Sequence, residues 1–172
     1  EQHRQTNELF GLDHNNHIGR LPQLNHQTKD WTTFFRECRI KPELMMAKSL
    51  FPKLSSRFNN LFLKLPELFP DDPPSLLHGD LWSGNFMVDD LGNPAIFDPA
   101  AYYGHREMEL AFTRMFGGFD DEFYSAYNEA SPLPAGFDER VEIYNLYPLL
   151  VHLNLFGASY LAAIEQILKK YQ

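Results

Sequence analysis

The chain has 172 residues, 44% hydrophobic, 22% charged and 15% aromatic. That balance suits one globular core and excludes a disordered tail, a collagenous fibre and a low-complexity linker. The single cysteine excludes a disulfide framework and a multi-cysteine zinc module, and points to a reducing, cytoplasmic setting. No apolar run approaches the roughly 20 residues needed to span a bilayer, so no membrane partner is expected. The net charge of −8 is unevenly spread: residues 1–70 carry ten Lys/Arg against seven Asp/Glu, and residues 71–172 carry five against sixteen. A nucleic-acid binder needs the opposite sign on its working surface. The acidic half suits a divalent cation or an amine-bearing substrate, although most of these acids read as solvated helix faces.

Residues 1–9 read as the tail of a helix, cut off at Phe10-Gly11-Leu12. Residues 11–30 read as a polar loop rich in His, Asn and Gln, punctuated at Gly19 and Pro22. Asp30 is placed to cap a helix from Trp31 to about Arg39, and Pro42 to open the next one. Residues 53–65 space Leu54, Phe58, Leu61, Phe62 and Leu65 as an amphipathic helix, which Pro66, Pro70, Pro73 and Pro74 are expected to end. Three short apolar runs follow, at Ser75-Leu76-Leu77, Phe86-Met87-Val88 and Ala95-Ile96-Phe97. The turn sequence Asp89 to Pro94 makes residues 85–97 a β-hairpin. Helical periodicity returns at 106–116, 120–129, 138–155 (with a kink at Pro148) and 158–170. The expected class is α+β and mostly helical, with one small sheet between two helical blocks.

The chemistry concentrates around that sheet, in His78-Gly79-Asp80-Leu81-Trp82-Ser83-Gly84-Asn85 and in Asp98 after the second hairpin strand. The hairpin returns Asp98 beside Asn85, gathering Asp80, Asn85 and Asp98 as hard oxygen donors without sulfur or paired histidines. Such a set favours magnesium over zinc. Phosphoryl transfer needs positioning, charge neutralisation and one carboxylate to accept the nucleophile's proton. Asp80 suits that acceptor role, and Asn85 and Asp98 suit the metal. The three histidines His14, His17 and His26 lack carboxylates and ligand spacing and read as loop residues. Cys38 reads as a small buried hydrophobe.

The five-residue Asp-to-Asn spacing is that of the protein-kinase catalytic loop, here as H-G-D rather than H-R-D and with D-P-A rather than D-F-G. The loop resembles the aminoglycoside and choline phosphotransferase branch of the kinase-like fold. More narrowly, His78 to Asn85, Phe97 to Glu107, Leu110-Ala111 and Met115 to Phe119 resemble the fructosamine-3-kinase (ketosamine-3-kinase) family. Asn16-His17-Ile18-Gly19, Pro22-Gln23, Trp31 to Phe35, His152, Asn154 and Phe156-Gly157 extend the resemblance over nearly the whole chain.

The resemblance implies that Asp80 is the catalytic base, that Asn85 and Asp98 hold magnesium, and that ATP is the phosphate donor. It makes His78 and Glu109 supports of the loop. Trp82 is either an aromatic wall for a sugar or a packing residue under the loop. His152 and Asn154 are either substrate contacts or helix-face hydrogen-bonding groups. The implied reaction is phosphorylation of a sugar hydroxyl on a glycated amine or lysine. The alternatives are an aminoglycoside- or choline-type kinase and a non-catalytic binding module.

Family members are two-lobed, and no glycine-rich loop or strand-borne lysine is found here. Residues 1–172 are therefore expected to be a C-terminal lobe, inactive alone and prone to pair with a second copy through the surface a nucleotide lobe covers.

Overall fold

A computed structural model describes residues 1–172. In place of the expected helix tail, the first residues form only a 3₁₀ turn, Gln2–Arg4. The polar stretch that follows is not all loop: β1 (Asn16–Ile18) and β2 (Leu21–Gln23) pair antiparallel, with Asn16 opposite Gln23. Apolar alternation cannot reveal this hairpin, because one of its buried positions, Gln23, is held by hydrogen bonds.

Asp30 caps the next helix as expected, its carboxylate accepting the Thr33 amide hydrogen at 2.6 Å. That helix does not stop near Arg39. It runs from α1 (Trp31–Phe34) through a π-helical turn, Phe35–Ile40, into α2 (Lys41–Ala47). In the wider turn the Lys41 amide bonds five residues back to Arg36, which leaves room ahead of Pro42. The expected 53–65 helix is α3 (Leu54–Arg57) followed by α4 (Asn59–Leu68). Pro66 lies inside α4 rather than ending it. So close to the helix end it removes one bond, and the Phe69 amide still reaches the Leu65 carbonyl at 3.1 Å.

Three separate two-stranded sheets replace the single sheet expected. β3 (Ser75–Leu77) pairs with β6 (Tyr102–Gly104), a strand that sequence patterning does not reveal, and Leu77 faces Tyr102. Between them, β4 (Phe86–Val88) and β5 (Pro94–Ile96) form the expected hairpin, with Phe86 opposite Ile96. The Asp89 carboxylate holds its turn by accepting from the Leu91 and Asn93 amides at 2.9 and 2.7 Å. The β3–β6 pair thus closes the chain around the segment His78 to Ala101, which carries Asp80, Asn85 and Asp98.

The remaining helices are α5 (Arg106–Met115), α6 (Asp121–Ala130), α7 (Phe137–Phe156) and α8 (Leu161–Lys169). α7 is buried on most of its surface, and α5, α2 and α8 pack on it. It continues through Pro148 as one helix. Arg140 of α7 grips the fully buried Glu107 of α5 with two bonds of 2.6 and 2.7 Å. No helix is long and apolar enough to cross a membrane.

Candidate active site

The buried end of β3 delivers His78 into the interior. Its Nε2 contacts the Phe97 carbonyl at 2.9 Å and its Nδ1 contacts the Asp80 amide at 3.3 Å. An amide N–H can only donate, so Nδ1 is the acceptor and the ring proton sits on Nε2. His78 therefore ties the Asp80 loop to the residue before Asp98, and both its nitrogens are spent on backbone. Gly79 has φ +81°, and a Cβ there would stand 2.1 Å from the Ala100 carbonyl oxygen. Only glycine lets the two loops approach this closely.

Glu109 braces the same loop from α5. One of its oxygens accepts the Gly79 amide hydrogen and the other accepts from His3 Nε2, both at 2.8 Å. His3 Nδ1 in turn meets the Tyr127 hydroxyl at 2.8 Å. Sequence reading missed His3, because nothing local links it to a residue 106 positions away.

Asp80, Asn85 and Asp98 come together at the hairpin base. The Asn85 amide donates to the Asp80 carbonyl at 2.9 Å and to its carboxylate at 3.2 Å, and the Phe97 amide bonds the Asn85 carbonyl at 3.1 Å. Burial pushes the Asp80 carboxyl up to about 6, a rise that His78 and Asn85 moderate and the Asp98 carboxylate reinforces. Asp98 is the one non-glycine residue with positive φ, at 58°. Backbone of this kind concentrates at working sites, and aspartate tolerates it.

With the Asn85 nitrogen committed, its Oδ1 remains as an acceptor, and the exposed Asp98 carboxylate has no side-chain partner. No cluster of three His, Cys, Asp or Glu side chains forms a dedicated metal cage. Two hard oxygens fit magnesium, which takes one or two protein ligands and completes its shell with phosphates and water.

On the other side of Asp80 lies a cavity of about 450 Å³, which neither Asn85 nor Asp98 lines. Trp82 borders it with its ring on Gly84, where a Cβ would meet the indole at 2.3 Å. The residue is thus packed against the loop and open to the cavity at once. His152 also lines it, its Nδ1 donating to the Pro148 carbonyl at 2.7 Å. Asn154 does not reach it. Its amide is spent on the Glu43 carbonyl and carboxylate, at 3.0 and 2.7 Å.

A buried polar network supports the wall. Tyr147 donates to Gln23 at 2.8 Å, and Gln23 donates to the Ala100 carbonyl at 3.0 Å and to Asn16 at 2.8 Å. Asn16 continues to the Ala101 carbonyl at 2.9 Å. The β1–β2 hairpin therefore holds the segment that follows Asp98. Cys38 is buried, as expected, and its burial pushes the thiol up.

A carboxylate with a magnesium-suited oxygen pair on one side and an acceptor-sized cavity on the other is the layout phosphoryl transfer requires. The chain belongs to the fructosamine kinase family, whose model matches residues 1–172. It is 44% identical to a Lactiplantibacillus plantarum protein named probable ketoamine kinase, over 98% of this chain and 62% of that one. It is 43% identical to the ketosamine-3-kinase of Mus musculus, over 96% of this chain and 55% of that one. A crystal structure from Thermobifida fusca, provisionally named fructosamine-3-kinase, superposes with a TM-score of 0.90 at 36% identity, over 97% of this chain and 59% of that one. The chain thus spans little more than half the length of the relatives it matches.

Proposed function

We propose that the chain is the acceptor-binding, catalytic lobe of a kinase that phosphorylates a sugar hydroxyl on a ketosamine. The observation that carries this reading is the position of Asp80, at the boundary between the cavity and the Asn85–Asp98 pair. The acceptor sits in the cavity with its hydroxyl on the Asp80 carboxylate. Asp80 takes the proton as the hydroxyl oxygen attacks the terminal phosphorus of ATP, and ADP leaves with the bond electrons. Asn85 Oδ1 and the Asp98 carboxylate would hold magnesium, which supplies neutralisation of phosphate charge when bound. His78 and Glu109 keep the loop in register by their backbone bonds.

The ketosamine acceptor is supported by the names of the relatives, including the protein-ribulosamine 3-kinase of Arabidopsis thaliana. An aminoglycoside acceptor is less well served. Asp80 and Glu109 are the only carboxylates lining the cavity, and both Glu109 oxygens are already bonded. Met87 and Val88 on β4, Ile96 on β5 and Phe97 just after it are all exposed, on both faces of the hairpin, which supports a second, covering unit there. That unit is either the remainder of a longer kinase or a second copy of this chain. One buried cysteine agrees with a cytoplasmic setting.

An acceptor panel with ATP and magnesium tests the proposal on the full gene product. Phosphate should appear on a ketosamine and not on an aminoglycoside or choline. Asp98→Ala should raise the magnesium concentration needed for half-maximal rate. Turnover of aminoglycosides with no ketosamine turnover would refute the assignment.

A further inference from the structure

Arg20 stands at the second position of the two-residue turn that joins β1 to β2, between the paired residues Ile18 and Leu21. Gly19, at the first position, has φ +55° and lines the cavity beside Asp80; a Cβ there would meet the Leu155 side chain at 3.5 Å. So tight a turn fixes where the Arg20 side chain starts. From it Arg20 reaches the C-terminal end of α7 and donates from Nη2 to the Leu155 carbonyl at 3.2 Å. That carbonyl belongs to the last turn of the helix, whose negative end favours a cation. Gly19, Leu155 and Phe156 all border the cavity, so the guanidinium is anchored at its rim and outside its lining.

This one bond uses one of five N–H donors, and neither Nε nor Nη1 has a protein acceptor. Arg36, Arg57, Arg106, Arg114 and Arg140 each meet a carboxylate instead. No carboxylate competes for Arg20. Residues 14–29 contain no Asp or Glu, Glu43 is buried against Asn154, and Glu165 of α8 is paired with Arg57. In a chain of net charge −8, an exposed arginine at the rim of the cavity with donors to spare is a local reversal of sign.

A ketosamine with its sugar hydroxyl on Asp80 leaves its amine substituent for the rest of the cavity. A lysine side chain suits that space, with four methylenes against a mostly hydrophobic lining and a polar end toward the rim. We propose that Arg20 is a specificity-determining residue that receives a carboxylate at this end, so that the site prefers glycated lysine with a free α-carboxylate to one with an amide in its place. The planar guanidinium matches a carboxylate in charge and geometry, and at the open rim the anion keeps part of its water. The proposal rests on reading the cavity as the acceptor site.

Two acceptors test it on the full gene product: the fructose adducts, at the side-chain amine, of Nα-acetyl-lysine and of Nα-acetyl-lysine amide, which differ by one carboxylate. Calorimetry reads Kd, and phosphate transfer from ATP reads KM. The carboxylate adduct should bind about three- to tenfold more tightly, between the values of an exposed ion pair and of a charge-assisted hydrogen bond. Arg20→Gln should bring the ratio to about one, Arg20→Lys should keep part of it, and Arg20→Glu should reverse it.

A parent protein without the preference, or a preference that survives Arg20→Gln, overturns the inference alone, because phosphate transfer still reports on the acceptor reading. An Arg20→Gln variant that weakens both adducts equally and lowers Tm makes Arg20 a cap of α7 only, and overturns the inference as well. Binding of neither adduct overturns it together with the acceptor reading of the cavity. The expected Kd ratios without phosphate transfer uphold the inference and overturn the kinase assignment.

Discussion

Replacing Glu43 with glutamine should make the protein more stable, by an amount that grows as the pH rises from about 4.5 to about 7 and is full above that. Glu43 lies on α2, almost wholly buried, with the Asn154 amide as its side-chain partner at 2.7 Å. Burial pushes its carboxyl up to about 7, while Asn154 and the more distant Arg39 pull the other way. In the unfolded chain the group titrates near 4.5. The folded protein is therefore fully favoured by a protonated Glu43 below about 4.5, and loses that advantage as the pH rises through 7. The gap of about 2.5 pH units corresponds to about 3 kcal/mol against folding at pH 8. Glu43→Gln keeps the shape and an acceptor for Asn154 but has no charge to desolvate. The variant should gain about 2–3 kcal/mol at pH 8, or roughly 4–12 °C in Tm for a chain of this size, and nothing at pH 4.5. Denaturant unfolding at both pH values, followed by circular dichroism, measures the difference. A variant no more stable than the parent at pH 8, or equally stabilised at both, would show that Glu43 is not held against its charge.

Other perturbations separate support from chemistry. Asp80→Asn should cost about 10²–10⁴ in kcat with the fold intact, since the side chain keeps its size and loses proton acceptance. An unchanged rate removes Asp80 as the base. His3→Ala should lower kcat about tenfold with little change in acceptor KM, because Glu109 loses the partner that fixes it under Gly79, whereas His3→Gln should restore most of the rate. Gly79→Ala combines about 1–2 kcal/mol of left-handed strain with a backbone clash, so Tm should fall by several degrees and activity with it. Glu107→Ala strands the buried Arg140 charge and should cost about 3–5 kcal/mol in denaturant unfolding.

Legibility in the sequence followed the range of the interactions. Asp80 and Asn85 are five residues apart and joined by their own hydrogen bonds, and the turn residues Asp89 and Asn93 return Asp98 beside them. Each of these steps is local, so spacing alone carries it. The β1–β2 hairpin escaped because its interior is polar, and β6 because its partner β3 lies 25 residues upstream. The helix boundaries at Arg39 and Pro66 were misread for a related reason: proline marks a lost hydrogen bond, while burial and neighbouring bonds decide whether the helix survives it.

The sequence by itself determined the order of the reactive groups, the hard-oxygen character of the proposed metal pair and the family to which the chain belongs. Only the tertiary structure decided which groups are spent and which remain free. Asn154 goes to Glu43, His3 goes to Glu109, and Arg39 is sealed behind Tyr102. It also decided that no lysine or arginine lines the cavity beside Asp80. These outcomes depend on desolvation and on partners more than 60 positions away, and neither is written in any local stretch of chain.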